Sequence, residues 1–179
     1  MSRLPLLSRE KADDKSAPAL ASVQQKLGML PNFFAGMAHH SGTLNAFLAA
    51  QQAMTADSRL SAAQREMLAL AVANANGCGY CVSGHTVSAR AAGVSAEAAM
   101  QAQAGKAKTA YDQALLDVAL AVLEKRGHLS DEALRAAREA GLDDATLVEI
   151  IGLVSVNSLS NWLNNVIRPA IDFPEVALV

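Results

Sequence analysis

The sequence predicts an all-α protein built as a single-domain helical bundle, and three features favour this fold class. Alanine is the commonest residue, runs of β-branched residues are scarce, and Gly and Asn fall between segments whose apolar residues recur at helical intervals. A chain of 179 residues is large enough to bury the core of one domain. We therefore expect an irregular arm over residues 1–15 and one helical domain over residues 16–179.

Start and stop signals divide the chain into helices. Pro lies in the opening turn of the first, Ser or Asp precedes four later ones, and Gly or Asn follows many of the ends. These signals predict helices over residues 16–27, 31–40, 42–55, 61–75, 78–92, 95–105, 109–126, 130–141 and 143–167. The aromatic pair Phe33 and Phe34 indicates core packing, with the wall of an apolar substrate pocket as the alternative.

Two of these helices, on either side of Asn76 and Gly77, form the centre of the predicted fold. Residues 67–89 contain no Asp, Glu, Lys or Arg, so most of this segment can be buried. Helices joined by so short a link are expected to be antiparallel neighbours. At about 1.5 Å of rise per residue, Glu66 and His85 then lie at similar heights and face each other directly or through one water.

Both cysteines of the chain lie at the start of the second of these helices. Cys81 follows Cys78 by one turn, and His85 follows four residues later on the same face. The N-terminal end of a helix favours thiolate over thiol, and an adjacent imidazole can accept or return the proton. Cys81 is therefore the candidate attacking sulfur, Cys78 can approach it to close a disulfide, and Glu66 is expected to orient the imidazole.

The spacing of these residues resembles a known family signature. Glu66, eleven residues, Cys78-Gly-Tyr-Cys81, three residues and His85 are similar to the pattern of the AhpD-like alkylhydroperoxidases within the carboxymuconolactone decarboxylase superfamily. The resemblance is strongest over residues 58–105. It implies an AhpD-like helical bundle in which a central antiparallel helix hairpin carries the CxxC pair.

The same resemblance implies a thiol peroxidase that needs no cofactor. Cys81 would be the peroxidatic thiol, Cys78 the resolving thiol, and Glu66 with His85 the proton relay. A lipoyl- or thioredoxin-like dithiol protein would reduce the resulting disulfide. Well-characterised relatives carry a second histidine where this chain has Tyr80, whose hydroxyl is a candidate auxiliary hydrogen-bonding group. Family resemblance also implies a homo-oligomer, as a trimer or hexamer.

The charge and the apolar segments of the chain indicate which partners and which cellular location to expect. A formal charge of −2 and a pI near 6.1 give no basic surface for nucleic acid. The first residues lack the apolar core of a signal sequence, and the apolar run over residues 150–156 is too short for a membrane span. A lone CxxC pair is typical of redox or metal chemistry in the reducing cytoplasm, which is the location that we expect.

Three other functions are compatible with the motif. A lactone decarboxylase uses acid and base residues and does not need both thiols, so retention of the pair argues against it. A zinc site could use Cys78, Cys81, His85 and Glu66, but closed zinc sites usually draw on a second ligand pair. The third alternative is a structural protein in which the CxxC pair is inert. The asparagines of the last helix recur beside Trp162, which indicates structural packing, with a place beside a site as the alternative.

Overall fold

The computed structural model describes residues 2–179, and within this range every regular element is an α-helix. The helices are α1 Ala17–Leu27, α2 Asn32–Met37, α3 Ser41–Ala56, α4 Ala62–Ala75, α5 Gly79–Ala91, α6 Ala96–Gln103, α7 Ala110–Glu124, α8 Asp131–Glu139 and α9 Asp144–Ile167. The predicted all-α fold class is confirmed. Predicted and observed bounds differ by only a few residues, as is usual at helix ends.

Side chains that precede the helices explain where several of them begin. The Ser61 hydroxyl accepts the N–H of Gln64, and the Gln64 side chain accepts the Ser61 N–H at 3.0 Å, which completes a capping box. Ser95, Ser130 and Asp143 each accept a backbone N–H at the starts of α6, α8 and α9. Because a cap is a local interaction, the sequence was sufficient to locate these starts.

Helix α4 lies at the centre of the bundle and packs against α5, α6, α7 and α9. Every residue from Leu68 to Ala73 is buried, as expected for a helix that is apolar on all sides. Leu68 and Val72 belong to the apolar cluster shared with α7 and α9, whereas Leu70 and Ala73 belong to the cluster shared with α1, α3 and α5. One helix therefore contributes to both halves of the core and fixes the position of α5.

Helix α9 is long and apolar enough to cross a membrane by length and composition alone. However, 56% of its apolar window is buried within the protein, which is also typical of a core helix. Its outer edge exposes Val148, Ile151, Trp162 and Val166. An open apolar groove of about 920 Å³ lies between this edge and α7.

The C-terminal strap, defined as residues 168–179, runs across α4 and α5. The Val176 N–H donates to Ser83 Oγ at 3.0 Å. The Asn74 side chain donates to the Val179 carbonyl at 2.9 Å and accepts the Val179 N–H at 3.0 Å. The strap is therefore held by the same two helices that carry the glutamate, the cysteines and the histidine of the predicted site.

Candidate active site

The two cysteines form a disulfide at the beginning of α5. Cys78 is the N-cap residue, and its backbone, at φ −95° and ψ 88°, lies outside the helix. This conformation brings its Cα atom to 5.3 Å from that of Cys81, within the range that a disulfide spans. Both residues are buried, with 1% and 5% of their surface exposed. The pair is therefore a buried disulfide at the N-terminal end of a helix.

Glu66 on α4 and His85 on α5 meet directly across the hairpin. The distance between Glu66 Oε2 and His85 Nδ1 is 2.8 Å, and about a quarter of each side chain is exposed. A carboxylate acceptor at Nδ1 favours the tautomer in which that nitrogen carries the proton, which leaves Nε2 for proton exchange when the ring is neutral. Since His85 lies one turn after Cys81 on the same helical face, the pair stands beside the cysteine motif.

Asn164 joins α9 to the disulfide. Its amide Nδ2 donates to Cys81 Sγ at 3.3 Å, and the residue is only 4% exposed. The sequence predicted a polar row on this helix but did not connect it to a cysteine. The recurrence of asparagines at helical spacing on an otherwise apolar helix was the only signal available. The structure thus places one member of that row against the motif.

Tyr80 is held between α2 and the C-terminal strap. Its hydroxyl donates to a carboxylate oxygen of Asp172 and accepts the Phe33 N–H at 3.3 Å. Asp172 also accepts the Asn32 N–H at 2.8 Å. The ring of Phe173 packs edge-on against Tyr80, with centroids 5.8 Å apart. These hydrogen bonds tie the strap to the start of α2, and none of them reaches His85 or the cysteines.

We expect Tyr80→Phe to remove a pH-dependent part of the stability. Burial, together with the hydrogen bond to Asp172, raises the pKa of Tyr80. A group whose pKa is higher in the folded state contributes stability below its unfolded pKa of about 10 and loses it as the pH rises further. Urea unfolding should therefore show that the unfolding free energy falls more between about pH 8 and about pH 11 in the unmodified protein than in Tyr80→Phe. An equal loss in Tyr80→Phe would contradict this assignment.

A cavity of about 450 Å³ opens at the N-terminal end of α5. Its lining includes Cys78, Tyr80, Asn164, Asn165 and Arg168. Arg168 caps α9 in the left-handed region, at φ 51°, and its side chain is exposed. The cavity is within the size range of small-molecule sites, and it combines sulfur with neutral amides and one guanidinium.

Local structure explains the positions of two other histidines and of the aromatic pair. His40 accepts the Thr43 N–H at 3.1 Å and caps α3, while His39 Nε2 lies 2.7 Å from the Pro5 carbonyl oxygen. The Phe33 ring packs within the aromatic cluster of α2 and α3. Over residues 2–179, no group of three or more His, Cys, Asp or Glu side chains is placed to hold a metal ion.

Comparison with protein families gives a match over the centre of the chain. The sequence model of the carboxymuconolactone decarboxylase family matches residues 42–125, a range that contains Glu66, both cysteines and His85. No curated protein matches the chain significantly in sequence.

Several solved structures are similar over nearly the whole chain. The alkylhydroperoxidase AhpD core of a peroxidase-related protein from Ralstonia eutropha JMP134 is 29% identical, with a TM-score of 0.85, over 97% of this chain and 92% of that chain. A peroxidase-related protein from Silicibacter sp. TM1040 is 23% identical, with a TM-score of 0.78, over 98% and 91%. The debrominase Bmp8, in complex with 2,3,4-tribromopyrrole, is 21% identical, with a TM-score of 0.79, over 96% and 94%. The likeness to the last two concerns the fold.

Proposed function

This chain belongs to the AhpD-like and carboxymuconolactone decarboxylase superfamily, whose members include enzymes, and from that premise we propose that it is a thiol-dependent peroxidase. The observation that carries the proposal is the buried Cys78–Cys81 disulfide beside the hydrogen-bonded Glu66–His85 pair. In this proposal the two cysteines at the start of α5 form a two-electron sulfur couple, and His85 on α5 with Glu66 on α4 acts as its proton relay.

In the first step, the Cys81 thiolate attacks the terminal oxygen of a hydroperoxide. A sulfur–oxygen bond forms as the oxygen–oxygen bond breaks, so that sulfur is oxidised by two electrons and the peroxide is reduced. The departing alkoxide takes a proton from His85 and leaves as the alcohol. Glu66 stabilises the protonated ring, since its carboxylate accepts the bond from Nδ1.

In the second step, Cys78 resolves the sulfenic acid of Cys81. The Cys78 sulfur attacks the Cys81 sulfur, the disulfide forms, and the hydroxyl group leaves as water after taking a proton. In the disulfide form the two Cα atoms lie 5.3 Å apart, and α5 is regular from Gly79 onward, so the bond is compatible with the helix. Tyr80 contributes to the shape of the site through its bonds to Asp172 and Phe33.

In the third step, a dithiol partner returns the pair to the reduced state. One partner thiolate attacks the disulfide, and the second displaces the mixed disulfide, so that two electrons and two protons regenerate both thiols. A lipoyl- or thioredoxin-like protein has the required chemistry. A reducing compartment such as the cytoplasm suits this cycle, and we propose a homo-oligomer as the working assembly.

The experiment that tests this function compares reductants side by side. Reduction of hydrogen peroxide and of cumene hydroperoxide is measured with dithiothreitol, with dihydrolipoamide and its reductase, and with a thioredoxin system. We expect turnover with at least one dithiol, and none with the Cys78→Ser/Cys81→Ser variant as control. Absence of turnover with all three, and of disulfide formation on addition of peroxide, would refute the proposal.

A second candidate function is reductive dehalogenation. The cavity of about 450 Å³ beside Cys78 has room for a small halogenated ring, and the fold matches that of a debrominase. Here the dithiol would supply two electrons, a carbon–hydrogen bond would replace the carbon–bromine bond, and bromide would leave as the disulfide forms. Bromide release from 2,3,4-tribromopyrrole by the reduced protein, without peroxide consumption, would favour this function over the first.

A further inference from the structure

We propose that Asn164 is a further catalytic residue, with a separate task for each end of its amide. Its N–H group stabilises the Cys81 thiolate, and its carbonyl oxygen accepts the hydroxyl group of an incoming hydroperoxide. The second task rests on the proposed peroxidase function, whereas the first is independent of the oxidant.

The first task follows from the contact between Asn164 and the sulfur. Nδ2 donates to Cys81 Sγ at 3.3 Å inside a buried site. The reverse orientation of the amide would direct its carbonyl oxygen at the sulfur lone pairs, which is unfavourable and more so when the sulfur is a thiolate. Because a hydrogen bond to a charged acceptor is stronger than one to a neutral acceptor, this N–H favours the ionised form.

The second task follows from the other end of the same amide. Among residues 2–179, two buried side-chain atoms lack a hydrogen-bond partner, Asn164 Oδ1 and Asn161 Nδ2. Buried polar atoms are normally paired, so each requires an explanation. Asn161 is held through its carbonyl by Asn76 and does not line the cavity, whereas Asn164 does. Asn164 therefore carries an unpaired buried acceptor in the wall of a cavity that Cys78 also lines.

A hydroperoxide has the matching group, because its terminal oxygen carries a hydrogen. When this O–H donates to Asn164 Oδ1, the terminal oxygen of the peroxide is held close to the Cys81 sulfur that attacks it. As the sulfur–oxygen bond forms and the oxygen–oxygen bond breaks, the hydroxyl group moves to Cys81 as sulfenic acid, and it can keep its bond to Oδ1. The substrate class is therefore hydroperoxides and hydrogen peroxide, whose terminal O–H is free.

The thiolate task is tested without any peroxide. Three proteins that all carry Cys78→Ser are compared: one without further change, one with Asn164→Ala, and a control with Asn157→Ala. For each, the rate of Cys81 alkylation by iodoacetamide is measured against pH. Asn157 is also buried on α9, but its amide donates to the carbonyl of Leu153 in its own helix. We expect Asn164→Ala to raise the pKa of Cys81 by about one unit, a roughly tenfold loss of thiolate near neutral pH, and Asn157→Ala to leave it unchanged.

The hydroperoxide task is tested at a pH where Cys81 is fully ionised in every variant. There we expect Asn164→Ala to slow single-turnover oxidation by cumene hydroperoxide about tenfold, while the limiting rate of alkylation stays the same. If Asn164→Ala changes neither the limiting rate of oxidation nor the limiting rate of alkylation, Oδ1 does not bind the substrate. If the thiol pKa is unchanged as well, the whole proposal is overturned.

Two further measurements cover a variant that does not fold and a protein that does not react with peroxide. If Asn164→Ala does not fold by circular dichroism, the nearly isosteric Asn164→Asp replaces it, and its carboxylate is expected to raise the thiol pKa further. If the unmodified protein does not react with peroxide, the proposed function fails, and alkylation still decides whether Asn164 stabilises the thiolate.

Discussion

Cys81→Ser is expected to abolish peroxide consumption, whereas Cys78→Ser should retain one turnover. Cys81 lies in the first turn of α5, where the helix end favours the thiolate, and His85 four residues later can take its proton. We therefore expect the Cys81 thiolate to attack the peroxide. Cys78 acts only after the sulfenic acid has formed. Stopped-flow peroxide consumption with stoichiometric, pre-reduced protein measures both variants directly.

The fate of the oxidised sulfur provides the control for this pair of variants. Without Cys78, the Cys81 sulfenic acid should persist, be trapped by dimedone, and oxidise further in excess peroxide. Mass spectrometry of the two variants identifies which cysteine carries the adduct. If Cys78→Ser removed the first turnover and Cys81→Ser kept it, the roles of the two sulfurs would be reversed.

His85→Asn is expected to slow the first turnover about a hundredfold, and Glu66→Gln about tenfold, as is typical when a general acid or its partner is lost. Asn can donate a hydrogen bond but does not exchange protons near neutral pH. Gln keeps the shape of Glu66 but loses the charge that stabilises the imidazolium. The single-turnover rate and its dependence on pH are the measurements.

A third variant distinguishes the relay from a general effect on folding. His40→Asn changes another histidine to the same residue, and asparagine is itself a good N-cap for α3. It should leave the rate of peroxide reduction and its pH profile unchanged. If His85→Asn and Glu66→Gln showed the same profile as the unmodified protein, Glu66 and His85 would not form a relay.

The features that the sequence could predict are those encoded within one or two helices. The capping box at Ser61 and the antiparallel hairpin depend on residues that are close in the chain. The contact between Glu66 and His85 follows from the length of helix on either side of Gly77. In each case the helical rise and a short link determine the geometry, so few alternatives remain.

The features that the sequence could not predict involve partners that are far apart in the chain. Asn164 lies 83 residues from Cys81, and Asp172 lies 92 residues from Tyr80. Their positions depend on how α9 packs against α4 and α5, and no local rule specifies that packing. The asparagine row showed that α9 needed polar partners, but it could not identify them.

The Cys78 sulfur accepts the backbone N–H of Cys81 at 3.2 Å, so an atom that changes oxidation state also serves as a helix cap. A thiolate, a thiol and a disulfide sulfur differ in their strength as acceptors. The amide proton of Cys81 should therefore change its chemical shift and its exchange rate with the redox state. Isotope-labelled protein would thus carry a built-in spectroscopic probe of the cycle that needs no added dye.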